Sequence, residues 1–318
     1  MSYLIETKEL KKYFETKRGM LHAGDGVNIH IEKGHTLGVV GESGCGKSTL
    51  GRVLIHLLDS TEGQILFNGR DITKAGKAEI KELRKDMQMI FQDPYSSLNP
   101  RMTVKEIIGE PLQIYKICKT KQEYEERVQR LMQVVGLAER VAKSYPHELD
   151  GGRRQRIGIG RGLALQPKFV VCDEPVSALD VSIQAQILNL MQDLQKEFQL
   201  TYLFITHDLS VVKHISDEIC VMYLGVVVEH CKTKELFQNP CHPYTQALLS
   251  AIPRPNLDKK QNRISLKGEI TSPINPGPGC RFASRCMYAQ EICRTQTPVF
   301  DELSESHFVA CHRARQLM

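Results

Sequence analysis

The sequence predicts an α/β fold: a mostly parallel, buried sheet, a helical insert, and a small cysteine-bearing appendage at the C-terminal end. Three observations carry this expectation. The runs "TLGVVG", "FVVCDE" and "TYLFITHD" are short and rich in β-branched or aromatic residues, and each ends in a polar or glycine turn leading into a helical pattern. Strands covered on both faces read in this way. Between the first two runs, from about residue 93 to 165, apolar positions recur at three- and four-residue spacing, as in "YEERVQRLMQVVGL", the period of an amphipathic helix. Further on, Pro253, Pro255, Pro273, Pro276 and Pro278 punctuate a polar stretch with few apolar anchors, the composition of a linker and a small appendage. The division expected is 1–252 for the main domain and 253–318 for the extension.

The bulk numbers agree with that plan. A chain of 318 residues accommodates one large α/β domain with an appendage, or two domains of ordinary size. At 41% hydrophobic and 25% charged the composition excludes a disordered or fibrous protein. A net charge of +5 argues against a dedicated nucleic-acid binder and leaves room for a phosphorylated ligand or an anionic membrane surface. The opening "MSYLIETKELKKYF" lacks a secretory layout, and no window reaches 18 uninterrupted apolar residues, so a cytosolic chain is expected. In a reducing compartment clustered thiols more often bind metal than pair as disulfides. Cys45, Cys118, Cys172, Cys220, Cys231 and Cys241 are scattered and are expected to be small buried or partly buried residues. Cys280, Cys286, Cys293 and Cys311 are clustered in the tail.

The first strand leads into Gly41-Glu42-Ser43-Gly44-Cys45-Gly46-Lys47-Ser48-Thr49, which opens the helical stretch "KSTLGRVLIHLL". Glycines let successive backbone N–H groups point at phosphate oxygens, and the helix N-terminus adds its positive dipole end. Lys47 is placed to meet the outer phosphates and Ser48 to ligate Mg²⁺. The second strand delivers Asp173 and Glu174 at its C-terminal edge, where open α/β sheets hold their ligands. Asp173 is read as a Mg²⁺ ligand through water and Glu174 as the group that polarises an attacking water. His207 closes the third strand in "THD" at the same edge. Gln92, in "IFQDP", falls where the sheet meets the helical insert and is placed to sense a γ-phosphate and to share the Mg²⁺.

This ordered set (phosphate loop, glutamine, glycine pair with an arginine-rich helix, "DEPVSALD" and "THD") resembles the ATP-binding-cassette (ABC) ATPases over about residues 4 to 250. "FQDPYSSLNPRMTV", "NPCHPYTQALLSAIP" and the cysteine-bearing tail are similar to the oligopeptide and dipeptide importer branch, nearer the second of its two ATPase subunits. The resemblance implies an N-terminal antiparallel β part beside the parallel core, ATP with Mg²⁺ as the ligand, and ATPase subunits paired head to tail. Each ATP would then lie between one chain's phosphate loop and the other's glycine-pair motif. It implies that Asp180 lines the dimer seam and that Phe14 stacks on adenine, with Tyr13 as the second candidate. It implies two transmembrane permease subunits gripped through Gln92 and the helical insert, an extracellular or periplasmic peptide-binding protein engaged indirectly, and a peripheral place on the cytoplasmic face of the membrane.

At residues 149 to 153 the family pattern is Leu-Ser-Gly-Gly-Gln, and this chain has Leu149-Asp150-Gly151-Gly152-Arg153. A serine hydroxyl donates to the γ-phosphate held by the opposite subunit, whereas an ionised aspartate only accepts. Asp is also a favoured N-cap, so Asp150 is expected to occupy the backbone N–H groups meant for the nucleotide. Two like charges about 4 Å apart repel by roughly 4 kcal/mol at an effective dielectric of about 20, against about 1 kcal/mol for one lost hydrogen bond. Arg153 is placed to offset part of that. The expectation is one weakened composite site, and therefore a heterodimer, since a homodimer would carry the defect twice. Gly160 and Gly162 in the same helix each cost roughly 1 kcal/mol against alanine.

Cys280, Cys286, Cys293 and Cys311 suit either zinc or an iron–sulfur cluster, and spacing alone does not choose. The paired C-x2-C knuckles of a zinc ribbon are missing, wider loops wrap a bulkier group, and the resemblance implies a 4Fe-4S centre. Zinc, with His312 as a substitute ligand, is the alternative. Two other functions fit parts of the sequence: a soluble cassette ATPase of DNA repair or translation, and a nucleotide-binding partner with little hydrolysis. The first usually has paired cassettes or a long coiled coil, and Glu174 and His207 argue against the second.

Overall fold

A computed structural model describes residues 3–252, 263–266, 268 and 272–317; Pro253 and Pro255 of the expected linker lie outside the described residues. The chain forms two compact units, one from 1–32, 36–74 and 204–318, the other from 33–35 and 75–203.

The first unit opens with β1 (Tyr3–Thr16), β2 (Gly19–Val27), β3 (His30–Glu32), β4 (Thr36–Val40), α1 (Lys47–Leu54), β5 (Glu62–Phe67) and β6 (Arg70–Asp71). β1 is long enough to pair antiparallel with β2, β3 and β5, giving a five-stranded sheet in the order β2-β1-β5-β6 with β3 also on β1. Buried Thr7 stitches it, its hydroxyl donating to the Val27 carbonyl at 2.8 Å and accepting from Ile29 N–H at 3.0 Å. β4 is buried along its whole length, as its unbroken apolar run predicts. The helix read as "KSTLGRVLIHLL" is shorter than that: α1 stops at Leu54, because His56 turns into the left-handed region at φ 54°.

In the second unit follow α2 (Lys77–Asp86), β7 (Met87–Ile90), α3 (Pro94–Ser97), α4 (Val104–Ile114), α5 (Lys121–Val134), α6 (Gly151–Leu163), β8 (Phe169–Asp173), α7 (Val181–Phe198) and the start of β9 (Thr201–Ile205). β7 and β8 pair in parallel, Met87 opposite Phe169 and Ile90 opposite Cys172. The expected insert is helical. Thr103 and Glu106 form a reciprocal capping box at α4, and Thr120 caps α5 by accepting from Glu123 N–H at 3.1 Å, each such cap contributing about 1 kcal/mol. Ile107, Ile108 and Leu112 of α4, Val128 and Met132 of α5, and Ile157 of α6 form its buried face.

The first unit resumes with α8 (Leu209–Ile215), β10 (Glu218–Tyr223), β11 (Val226–Lys232), α9 (Thr233–Gln238), α10 (Pro243–Ser250), α11 (Glu291–Thr295), β12 (Asp301–Ser304), β13 (His307–Val309) and α12 (Ala314–Leu317). β10 runs parallel to β4 and antiparallel to β11. Here the expected appendage differs from what is found. The tail is built into the first unit: β13 pairs with β11, β12 with β13, and Ala310 N–H donates to the Val228 carbonyl at 2.9 Å. Its few apolar anchors suffice because the tail extends an existing sheet.

A buried ion pair fixes that junction. Glu229 and His307 are both fully buried, with Nε2 and Oε1 2.8 Å apart, and the carboxylate also accepts from Cys241 N–H at 2.7 Å and His242 N–H at 3.0 Å. An uncompensated carboxylate there would cost several kcal/mol. Burial alone would depress His307, but hydrogen bonds with Cys231, Cys241 and Glu229 more than offset it and raise its pKa to about 12. The six scattered cysteines are buried or partly buried as expected: five are buried, and Cys118, in the loop after α4, is half-buried.

Candidate active site

The phosphate loop lies in the first unit, between β4 and α1. Gly46 is the N-cap of α1 at φ 107°, and no side chain caps the helix. A Cβ at Gly46 would stand 2.0 Å from the Ala23 carbonyl oxygen, so only glycine fits there. Lys47 is 4% exposed, its ammonium donating to the Gly41 carbonyl at 2.7 Å and the Glu42 carbonyl at 3.0 Å. Cys45 packs beneath, its Sγ 3.8 Å from that ammonium. Burial pushes the Cys45 thiol up, and Lys47 offsets only part of this, so Cys45 is a packing residue.

Three other elements of this unit hold the loop, and sequence reasoning missed them. Arg285 forks onto both carboxylate oxygens of Glu42 at 2.6 and 3.1 Å, while the Glu42 N–H donates to the Tyr244 hydroxyl at 2.8 Å. Gly225 N–H, in the β10–β11 turn, donates to the Cys45 carbonyl at 2.8 Å. Arg285 lies 243 positions from Glu42, a pairing with no local signal.

His207 follows the end of β9, beside β4, where Thr206 N–H donates to the Val39 carbonyl at 3.2 Å. It is exposed on a turn pinned at both sides. Asp208 N–H donates to the Thr206 hydroxyl at 3.0 Å, and the Asp208 carboxylate accepts from Ser210 N–H at 2.7 Å to cap α8. Tyr13 is committed elsewhere: its hydroxyl donates to Asp25 at 2.5 Å and its ring stacks on His22 at 3.9 Å. Phe14, the next residue of β1, is half-buried and pairs with Leu21, with the Lys12 ammonium 4.9 Å from its ring centre.

In the second unit β8 ends at buried Asp173. Glu174 then adopts φ 46°, a left-handed backbone that costs a non-glycine residue about 1 kcal/mol or more and collects at functional sites. Ser177 holds the bend, its hydroxyl donating to the Glu174 carbonyl at 3.1 Å. The Gln92 amide donates to the Glu174 carboxylate at 2.8 Å, so these two predicted residues meet. Asp180 is the exposed N-cap residue of α7, and its side chain makes no capping bond.

Asp150 is the N-cap of α6. Its Oδ1 accepts from Arg153 N–H at 2.8 Å, and Oδ2 lies 3.4 Å from Arg153 Nε. The N-cap bond expected of Asp150 is therefore present. With the Asp150 side chain 61% exposed and a guanidinium beside it, its repulsion of a phosphate is well below the roughly 4 kcal/mol of a drier pair. A Cβ at Gly152 would stand 2.8 Å from Ile183 Cγ2, which explains the second glycine of the pair.

The tail cysteines, in the first unit, converge. Burial raises the Cys280 thiol to about 11, with the neighbouring Cys311, Cys293 and Cys286 adding to it, and Cys280 N–H donates to the Cys293 carbonyl at 2.7 Å. His312 Nε2 is 2.9 Å from the Gln296 carbonyl, a bond that commits its outer nitrogen. Among the described residues, Glu229, Cys241 and His307 are the one group of three ligand-type side chains closing within 4.8 Å. The four tail thiols are soft sulfur ligands of the kind that hold zinc or an iron–sulfur centre.

Residues 25–177 match the family model described as ABC transporter, and residues 228–293 that described as oligopeptide/dipeptide transporter, C-terminal region. The fold is shared with the ATP-binding cassette MJ0796, solved as a dimer bound to ADP and Pi, at a TM-score of 0.66 and 28% identity over 72% of this chain and 98% of that one. The chain belongs to the ABC ATPases. Within them it belongs with the oligopeptide and dipeptide transport ATP-binding proteins. It is 54% identical to the oligopeptide transport ATP-binding protein AppF of Bacillus subtilis, over 97% of each chain. It is 49% identical to the dipeptide transport ATP-binding protein DppF of Haemophilus influenzae, over 97% of this chain and 96% of that one. Among the described residues no helix is long and apolar enough to cross a membrane.

Proposed function

We propose that this ATPase energises import of di- or oligopeptides from the cytoplasmic face of the membrane. In this reading it sits on two permease subunits and pairs with a second, different ATPase subunit, while a peptide-binding protein outside the cell selects the cargo. The observation that carries the reading is a cassette ATPase and a peptide-transporter C-terminal region in one chain.

The residues divide the work as follows. The amides of Gly41 to Gly46 and the Lys47 ammonium hold the triphosphate, with Ser43 and Thr49 completing the loop. Phe14 stacks on adenine. Ser48, Asp173 and Gln92 hold Mg²⁺, which supplies charge neutralisation when bound; the Gln92 amide nitrogen is engaged by Glu174, leaving its oxygen for the metal. Glu174 takes up a proton from the attacking water and His207 donates to the γ-phosphate. Asp150, Gly151, Gly152 and Arg153 cover the ATP of the partner ATPase, with Asp180 at the seam. Cys280, Cys286, Cys293 and Cys311 hold a 4Fe-4S centre, which supplies a fixed cross-link for the tail; the four thiols must lose protons to bind it.

The test uses the assembled transporter in vesicles. Glu174→Gln is expected to lower peptide-stimulated ATP hydrolysis at least about a hundredfold while leaving ATP binding intact. Asp150→Ser is expected to raise turnover severalfold by restoring a donor to the second site. Full hydrolysis in the glutamine variant would remove Glu174 from the chemistry, and unchanged turnover in the serine variant would remove the weakened-site reading.

A further inference from the structure

We propose that Arg285 is a positioning residue of the phosphate loop, so that the cysteine-bearing tail is a working part of the nucleotide site. Glu42, the second residue of the loop, has every polar handle occupied from a different direction. Its carboxylate takes the Arg285 fork at 2.6 and 3.1 Å, its N–H goes to the Tyr244 hydroxyl at 2.8 Å, and its carbonyl accepts from Lys47 at 3.0 Å. The same Lys47 ammonium is the group meant for the outer phosphates. Arg285 is therefore linked to the triphosphate through two intervening residues, Glu42 and Lys47.

The fork is itself held firmly. Arg285 is 8% exposed and reaches the Tyr223 hydroxyl at 3.4 Å. It belongs to the loop between Cys280 and Cys286, and two more residues of that loop anchor in the same unit. Arg281 pairs with Asp25 and donates to the Leu224 carbonyl. Phe282, fully buried, packs edge-on against Tyr223 at 5.2 Å and tilted against Tyr244 at 5.4 Å. Only a guanidinium offers two parallel donors to one carboxylate, so lysine cannot reproduce the contact.

Removing the guanidinium has two effects, both on nucleotide affinity. The loop loses the contact that fixes Glu42, and the Glu42 carboxylate is left unneutralised in a loop that must receive an anion. Neither effect touches the attacking water, so binding should suffer more than turnover.

The test rests on residues 41–49 being the nucleotide site, and its controls separate the two claims. In the full-length chain, binding of a fluorescent ATP analogue with Mg²⁺ is measured for Arg285→Ala, Arg285→Lys, Glu42→Gln, the Arg285→Ala/Glu42→Gln double variant and Lys47→Ala. Arg285→Ala is expected to weaken binding about tenfold and to shrink the rise in melting temperature that nucleotide produces. Arg285→Lys should recover only part. The double variant should bind better than the product of the single losses, because without the carboxylate there is no charge left to neutralise. In the assembled transporter the KM for ATP should rise with kcat within about twofold.

Binding by a folded Arg285→Ala within twofold of the wild type, or losses that simply multiply, would overturn the proposal. If Arg285→Ala does not fold, Arg285→Lys decides by the same binding criterion. Should Lys47→Ala bind as the wild type does, the assignment of the nucleotide site fails; if Lys47→Ala loses binding and Arg285→Ala does not, only the clamp fails.

Discussion

His242 shows how one buried side chain sets a pH limit. It is fully buried at the N-cap of α10, where its Nδ1 accepts from Tyr244 N–H at 3.1 Å, a bond that requires the neutral ring. Burial lowers its pKa to about 4, with the Glu229 carboxylate opposing the shift only in part. The folded value lies below the unfolded one of about 6.5, so the stability tied to this residue is present above about pH 6.5. It drains away as pH falls towards about 4, on the order of 3 kcal/mol across the window. His242→Asn keeps a capping side chain that does not titrate. Denaturant unfolding at pH 7.5 and pH 5 should show the wild type losing about 2 kcal/mol more than the variant; equal losses would place the acid sensitivity elsewhere. Legibility at this scale follows contiguity. Lys47, Asp173 and Glu174 were readable because each lies in an uninterrupted motif at a strand end. The Arg285 fork and the Glu229–His307 pair were not, because long-range pairs leave no trace in local spacing. The bend at Glu174 was equally hidden, since a positive φ in a glutamate has no signature in local sequence.

Helix α6 was read from its pattern, and its cap geometry matches the reading, with Asp150 bound to Arg153 N–H. What the pattern could not tell is which glycines are structural. A Cβ at Gly152 would meet Ile183 Cγ2 at 2.8 Å, whereas one at Gly160 would meet Ile108 and Val135 side chains at 3.4 and 3.5 Å, an ordinary contact. At Gly160, alanine's helix propensity and a little extra buried surface therefore act together. Gly160→Ala is expected to stabilise the protein by about 1 kcal/mol, seen as a higher unfolding midpoint with an unchanged denaturant slope. Gly152→Ala should destabilise it. A Gly160→Ala protein no more stable than the wild type would mean that the gap beside Ile108 is needed for something other than packing. Helix α1 gives the opposite lesson. Its apolar periodicity runs on past Leu54, but the left-handed turn at His56 ends the helix, a tertiary choice that overrides a weak local preference.

For the molecule as a whole, the question is whether the tail is a module or a structural member. The sequence suggested a break near residue 252, because proline-rich polar stretches usually link separate bodies. The first unit instead uses the tail three times: β13 completes the sheet beside β11, His307 neutralises Glu229, and the Arg281 and Arg285 side chains satisfy Asp25 and Glu42. Ending the chain at residue 252 would leave Glu229 buried without its imidazolium and leave β11 unpaired where β13 covers it, at Glu229 and His230. Removing one partner of a buried ion pair costs about 3–5 kcal/mol, against a total stability of about 5–15 kcal/mol for a typical domain. An open, flat strand edge adds a route to aggregation. A chain of residues 1–252 is therefore expected to be insoluble, or to melt without a cooperative transition, and to bind no ATP analogue. A truncated chain that stayed monomeric, unfolded in one cooperative step and bound nucleotide as tightly as the full protein would show that the tail is dispensable, and the Arg285 clamp with it. The intermediate result, a folded core with weakened binding, would isolate the clamp from the fold, because sheet completion and the His307 pair support stability while Arg285 reaches the phosphate loop.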